Sequence, residues 1–226
     1  MVDLKGQYQR IKADVDAAMA RVIDSTAFIR GPEVAAFEKE LSDKLDGAAV
    51  LGVANGTDAL QIAFMALGLG PGDEVITASF TFVATAEAVG LLGATPVFAD
   101  IDPATFNLNP AQVESLITDR TKAIVPVHLF GQCADMDPFL EIGKRHGIPV
   151  IEDTAQAIGA MYKGKPAGTM GSMGTLSFFP SKNLGCYGDG GGLVSRDADL
   201  MASARLVANH GSRKKYHNEV IGINSR

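Results

Sequence analysis

The sequence predicts an α/β fold built on a mostly parallel sheet with helices on both faces. From residue 49 onward, short apolar runs alternate with helical segments. The runs are apolar throughout, which is the pattern of strands covered on both sides. Turn signals such as Gly70-Pro71-Gly72-Asp73 and Tyr162-Lys163-Gly164-Lys165 separate the segments. With 226 residues, 46% of them hydrophobic, there is enough apolar material for one sizeable core.

The elements follow in order. Residues 8–24 set Ile11, Val15, Ala18, Val22 and Ile23 on one helical face. Gly31-Pro32 opens a second helix with Val34, Phe37, Leu41 and Leu45 facing inward. Proline fits there because the first N–H groups of a helix have no partner in any case. The alternation then predicts strands over 50–54, 74–77, 95–101, 123–128 and 149–152. Helices are predicted over 58–67, 82–92, 110–117 and 138–146. After Gly159 come two shorter strands, 175–179 and 191–195, and a last helix over 199–209. There is no internal repeat and no low-complexity linker.

Bulk properties exclude several functions. A net charge of −6 disfavours a nucleic-acid partner, and the densest basic cluster, Arg213-Lys214-Lys215, has only three residues. Cys133 and Cys186 are the two cysteines and form no CxxC pair, which argues against a disulfide scaffold or a thiolate zinc site. Met1-Val2-Asp3-Leu4-Lys5 lacks the apolar core of a signal peptide, and no apolar run is long enough to span a bilayer. The expectation is a cytoplasmic protein with no membrane partner and no metal. His128, His146, His210 and His217 show no metal-ligand spacing and receive no catalytic role.

In parallel α/β sheets, ligands collect at the carboxyl ends of the strands, and three segments should meet there. In Ala54-Asn55-Gly56-Thr57-Asp58, a strand turns through glycine into a helix, offering free N–H groups, a helix dipole and the Thr57 hydroxyl to an anion. The bland alternative makes Thr57 or Asp58 an ordinary N-cap. In Val150-Ile151-Glu152-Asp153, an apolar strand ends in two carboxylates, at least one of which should face the crevice. There it would hold a positive charge such as a pyridinium nitrogen, with magnesium ligation as the competitor. Gln156, three residues on, could reach a phenolic ring oxygen.

The third segment holds Lys182, a lone lysine among apolar, small and neutral polar residues. A lysine amine bonds to an aldehyde only when deprotonated, a state that desolvation favours. Most lysines near turns are simply solvated, but Ser177 lies five residues upstream and could converge with Lys182 on one ligand. An anion corner, a ring-nitrogen acid and a Schiff-base lysine occur in the order a pyridoxal phosphate pocket requires. Nucleotide readings fit less well, since neither a dinucleotide fingerprint nor a P-loop is present. Gly188-Asp189-Gly190-Gly191-Gly192 leads into a strand and suggests backbone passing close to something bulky, such as the cofactor.

With these residues in hand, the chain resembles the fold-type I sugar aminotransferases of the DegT/StrS kind. The motifs are Gly31-Pro32-Glu33-Val34, Asn55-Gly56-Thr57-Asp58-Ala59-Leu60, Gly70-Pro71-Gly72-Asp73-Glu74-Val75, Glu152-Asp153-Thr154-Ala155-Gln156 and Pro180-Ser181-Lys182-Asn183-Leu184-Gly185. Gly131-Gln132-Cys133-Ala134-Asp135-Met136-Asp137 and Gly222-Ile223-Asn224-Ser225-Arg226 resemble the subgroup that aminates a UDP-linked 3-keto uronic acid.

The resemblance implies a seven-stranded sheet sandwiched by helices, pyridoxal 5′-phosphate as cofactor, and transamination of a keto sugar nucleotide with L-glutamate as donor. It implies that Lys182 is the catalytic lysine. Gly56, Thr57, Asp58 and Ser177 would lie on the phosphate side, Phe82 on the ring face, Asp153 at the ring nitrogen and Gln156 at the ring oxygen. Asn224 would reach the phosphate of a neighbouring subunit, which implies a homodimer with shared active sites, and Arg226 would take the substrate carboxylate. The setting implied is cell-surface polysaccharide or lipopolysaccharide biosynthesis. Members of the family continue past this point, so 1–226 is expected to be the large cofactor-binding domain with its N-terminal helices, the small C-terminal domain being missing. The rival readings are an aminotransferase for another keto sugar nucleotide and an inactive truncated cofactor-binding fold.

Overall fold

Two helices come first, α1 (Leu4–Ser25) and α2 (Pro32–Lys44), in a computed structural model that describes residues 2–214 and 216–226. Of the basic run at 213–215, Lys215 lies outside the described residues. Strands and helices then alternate as β1 (Ala49–Val53), α3 (Gly56–Ala66), β2 (Glu74–Ala78), α4 (Ala84–Leu91), β3 (Thr95–Ala99), α5 (Pro110–Val113), β4 (Thr121–Val125), α6 (Met136–His146) and β5 (Ile151–Asp153). A small hairpin follows, β6 (Met161–Tyr162) and β7 (Lys165–Pro166). Its two central residues, Lys163 and Gly164, both have positive φ, as a type I′ turn requires. The chain continues through β8 (Met173–Ser177), β9 (Gly191–Ser195), α7 (Ala198–Ala208), β10 (Ser212–Lys214) and β11 (His217–Asn218).

The main strands form two ladders, β3-β2-β4 and β5-β8-β9-β1. Parallel bridges Ile124↔Val150 and Val127↔Asp153 join them into one seven-stranded surface. β9 runs antiparallel to both its neighbours, and the other adjacent pairs are parallel. The expected mostly parallel sheet is therefore present, with one reversed strand.

Residues alternate between the two faces with the period of two that strand geometry imposes. Leu51, Val53, Ile151 and Met173 share a core with Ala59, Phe64 and Ala88 from α3 and α4, and with Val207 from α7. On the opposite face, Ile76, Ile124 and Val150 pack with Val113 of α5 and with Phe139 and Ile142 of α6. Val50, Leu176 and Val194 meet Leu41 and Leu45 of α2. Full burial of such a side chain contributes about 1.5–3 kcal/mol, so the two-faced apolar pattern is what drives the layered fold.

Two expectations change. No residue of α1 is buried, and Ile11 and Ile23, expected to share one apolar face, are 42% and 63% exposed. Amphipathic periodicity specifies a face, not the presence of a partner to cover it. The single helix expected over 110–117 is a four-residue α5 followed by a 3₁₀ turn, Glu114–Leu116. Thr118 N then donates to Thr121 Oγ1 at 2.9 Å and redirects the chain into β4.

Candidate active site

The corner between β1 and α3 depends on Asn55. Its backbone is extended (φ −166°, ψ 175°), and its Oδ1 accepts from Asp58 N at 2.8 Å. Asn55 is thus the N-cap, in place of the expected Thr57 or Asp58, because the helix already begins at Gly56. Among the described residues, the N–H groups of Gly56 and Thr57 have no partner, and the dipole of α3 adds positive character there. The N–H of Asp58 is taken by the cap. Its carboxylate carries the wrong sign for a phosphate, so Asp58 supports the first helical turn and offers the anion no donor.

Ser177, the last residue of β8, closes the same corner. A Cβ on Gly56 would stand 2.7 Å from Ser177 Cβ and 3.1 Å from its Oγ, so only glycine lets the helix start this close to the strand. The glycine run beyond residue 188 has a different role from the one expected. A Cβ on Gly191 would lie 2.4 Å from the carbonyl of Asn55, and Gly190 and Gly192 face Phe178. These glycines admit the chain's own backbone and the Phe178 ring.

Asp153 ends β5 and is 5% exposed. Its register with Thr175 places Asp153, Thr175 and Ser177 on one face, while Glu152 pairs with Gly174 on the other. Of the two carboxylates, Asp153 therefore shares the face of Ser177 and Glu152 does not. Asp153 Oδ2 accepts from Thr85 Oγ1 at 2.8 Å, and its Oδ1 accepts from Ala155 N at 3.1 Å. Thr85 was invisible in the sequence because the contact spans 68 residues. Phe82, three residues earlier, is 68% exposed just before α4. Gln156 Oε1 accepts from Phe130 N at 2.8 Å; among the described residues its Nε2 has no acceptor.

Lys182 closes a β-turn, donating its N–H to Phe179 O at 2.8 Å, with Pro180 in the second position that proline favours. Cys186 N then returns to Phe178 O at 2.8 Å, so the lysine loop is anchored at both ends against the edge of β8. The Lys182 side chain is partly exposed, less sheltered than its apolar neighbours suggested, and it has no acid partner among the described residues.

The segment holding Asn224 docks near the anion corner, where Ser225 Oγ accepts from Ala54 N at 2.9 Å. Asn224 itself is exposed. Arg226 is exposed and near enough to Arg30 to act on it: burial, then the like charge of Arg205, and less strongly that of Arg226, lower the pKa of Arg30. The structure thus gathers Gly56, Thr57 and Ser177 at one corner and puts Asp153 on the same sheet face. Gln156 follows Asp153 on the chain, and Lys182 sits on the adjoining loop.

An anion corner that a Cβ would fill, a buried carboxylate and a lysine at the carboxyl edge of the strands fit pyridoxal phosphate. Together with the strand order, they define the fold of the pyridoxal phosphate-dependent transferases. The profile of the DegT/DnrJ/EryC1/StrS aminotransferase family matches residues 9–226, and the chain belongs to that family.

One relative is the UDP-2-acetamido-2-deoxy-3-oxo-D-glucuronate aminotransferase of Pseudomonas aeruginosa, 54% identical over 225 residues, covering 100% of this chain and 63% of the relative. Another is the UDP-N-acetyl-3-dehydro-α-D-glucosamine 3-aminotransferase of Acidithiobacillus ferrooxidans, 48% identical, covering 100% of this chain and 61% of the relative. The structure of Streptomyces venezuelae DesV with a ketimine intermediate superimposes with a TM-score of 0.96 at 48% identity, covering 99% of this chain and 60% of that one. NtdA of Bacillus subtilis, solved with bound PMP, gives a TM-score of 0.89 at 38% identity, covering 95% of this chain and 49% of that one. The chain spans 63% and 61% of the length of the two curated relatives.

Proposed function

We propose that this protein is the large domain of a pyridoxal phosphate-dependent aminotransferase. It would move an amino group from L-glutamate to a nucleotide-linked keto sugar, with a UDP-linked 3-keto uronic acid as the first acceptor to test. The observation that carries the reading is the closure of Gly56 on Ser177 beside the buried Asp153. When bound, pyridoxal phosphate supplies an aldehyde that accepts the amino group and a ring that stores the electron pair left at the reacting carbon.

Each residue then has a defined task. The N–H groups of Gly56 and Thr57 and the hydroxyls of Thr57 and Ser177 hold the phosphate. The Asp153 carboxylate keeps the ring nitrogen protonated, Gln156 Nε2 donates to the ring oxygen, and Phe82 covers the ring face. Lys182 Nζ would lie at the aldehyde end of the cofactor and would serve as the base that moves the proton at the carbon that loses or gains nitrogen. Arg226 would meet a substrate carboxylate.

A homodimer with shared sites accounts for the uncovered face of α1 and for Phe28 and Ile29, which are 61% and 65% exposed. In such a dimer Asn224 would reach the partner's phosphate. A cytoplasmic setting agrees with two free thiols. The pathway proposed is cell-surface polysaccharide or lipopolysaccharide biosynthesis.

Titration of the protein with pyridoxal phosphate should produce a visible absorption band that L-glutamate bleaches and that Lys182→Ala lacks. Identical spectra for the two forms would end the enzyme reading. UDP-, dTDP- and GDP-linked keto sugars, assayed for restoration of the bleached band, would then rank the acceptors.

A further inference from the structure

Glu152 and His128 are both 0% exposed and lie on the sheet face opposite Asp153. Glu152 Oε2 accepts from His128 Nε2 at 2.9 Å and from Gly168 N at 2.8 Å, and its Oε1 accepts from Met170 N and Gly171 N at 2.7 Å each. Four donors meet the four lone-pair positions of the carboxylate. His128 Nδ1 accepts from Ala134 N at 3.0 Å, which fixes the tautomer with the ring proton on Nε2. The loop carrying the three donor amides lies against β8 so tightly that a Cβ on Gly174 would stand 2.2 Å from Gly168 O.

This pair touches the cofactor-facing residues through the backbone. His128 N donates to Asp153 O at 2.9 Å, directly behind the Asp153 side chain. The imidazole bond to Ala134 closes the 128–134 loop, and inside that loop Phe130 N holds Gln156 Oε1 at 2.8 Å. One imidazole therefore links the strand end bearing Asp153 to the loop that aims Gln156.

We propose that the buried His128–Glu152 pair is a positioning element that sets Asp153 and Gln156 for the ring of the cofactor, a role that rests on the cofactor reading above. Both side chains are buried on the sheet face opposite Asp153 and would act through the residues they hold. His128→Gln keeps a donor toward Glu152 but loses the acceptor for Ala134, whereas His128→Asn keeps that acceptor and loses the donor. Glu152→Gln turns an amide group toward N–H donors.

The test measures pyridoxal phosphate affinity and the position of the visible band at a temperature where every variant is folded. Val113→Ala, on the buried face of α5, serves as a destabilised control. His128→Gln and Glu152→Gln should each weaken binding by about tenfold or more and shift the band, because a buried polar partner is left unmet behind the ligand. The control should lower the melting temperature without either change. Amide exchange of the cofactor-free protein gives a second reading, with Phe130 losing protection in His128→Gln and retaining more of it in His128→Asn. Affinity within twofold of the parent and an unmoved band would overturn the proposal. Absence of binding by the parent would instead overturn the cofactor reading. If Glu152→Gln does not fold, the two His128 variants decide the matter.

Discussion

Gly56 and Ser177 meet where α3 begins and β8 ends, with only 2.7 Å between the Ser177 Cβ and the place a Gly56 Cβ would occupy. The two residues lie far apart in the chain, and their approach creates the anion corner. Gly56→Ala must push the first turn of α3 away from Ser177 and is expected to weaken pyridoxal phosphate binding by roughly tenfold or more. Ser177→Ala removes one hydroxyl donor to a charged group, about 1.5–3 kcal/mol of binding. Adding Ser177→Gly to Gly56→Ala relieves part of the clash but also loses the hydroxyl, so the double variant should lose less affinity than the sum of the losses in Gly56→Ala and Ser177→Gly. Strict additivity in the titrations would refute the contact.

Thr85 is 1% exposed and its hydroxyl donates a hydrogen bond to Asp153 Oδ2. Thr85→Val keeps the shape but leaves that oxygen short of a donor, a loss of about 1–3 kcal/mol in urea unfolding. Cofactor affinity should fall with it, since among the described residues the Asp153 carboxylate is then held by Ala155 N alone. Thr85→Ser should retain most of both quantities. Equal behaviour of the valine and serine variants would show that the hydroxyl is idle.

Glu74, at the start of β2, accepts from Thr118 Oγ1 at 2.6 Å and from Arg120 Nε at 2.9 Å. The Thr118 hydrogen bond and then the Arg120 hydrogen bond hold its carboxyl below the ordinary value of 4.5. A depressed folded-state value stabilises the protein above the unfolded value, and that stabilisation is lost as pH falls through the folded value. The gap between parent and Glu74→Gln in urea midpoint should therefore be widest near neutrality and narrow below about pH 4. A gap that stays constant with pH would contradict this ionic role.

Both thiols are raised above their ordinary value of 9.0. Burial is the main cause at each site, with the charge of Glu152 adding at Cys133 and that of Asp189 at Cys186. Thiolate is scarce at neutral pH in consequence, so alkylation should be slow when folded and fast after denaturation. Cys186 should be held back further, because its Sγ donates to Phe178 O at 2.9 Å. Mass spectrometry after timed iodoacetamide exposure measures this; labelling at the rate of an unfolded peptide would count against it.

Much of this arrangement was legible before any coordinates. The apolar runs at β1, β2, β4 and β9 were recognisable because a strand buried on both faces carries its signal in consecutive residues. Gly56, Ser177, Asp153 and Lys182 stood out for a similar reason, since each is an unusual residue type at a strand end or turn. Thr85, Asn55 and His128 did not stand out. A buried threonine hydroxyl or imidazole acquires meaning from its partner, and the partners of Thr85 and His128 lie 68 and 24 residues away. The cap was missed for a local reason, a two-residue difference in where α3 begins.

Local patterning was enough to specify the layered α/β class, the order of its elements and a tight glycine corner followed by an acid and a lysine. Each of these follows from periodicity, turn chemistry and residue type over a few positions. Long-range packing had the final say on which carboxylate of Glu152-Asp153 enters the site. A strand exchanges its faces with every residue, and the face that becomes the crevice is chosen by register with β8 and by helices distant in the chain. Packing likewise left α1 uncovered and turned Glu152 into the anchor of His128.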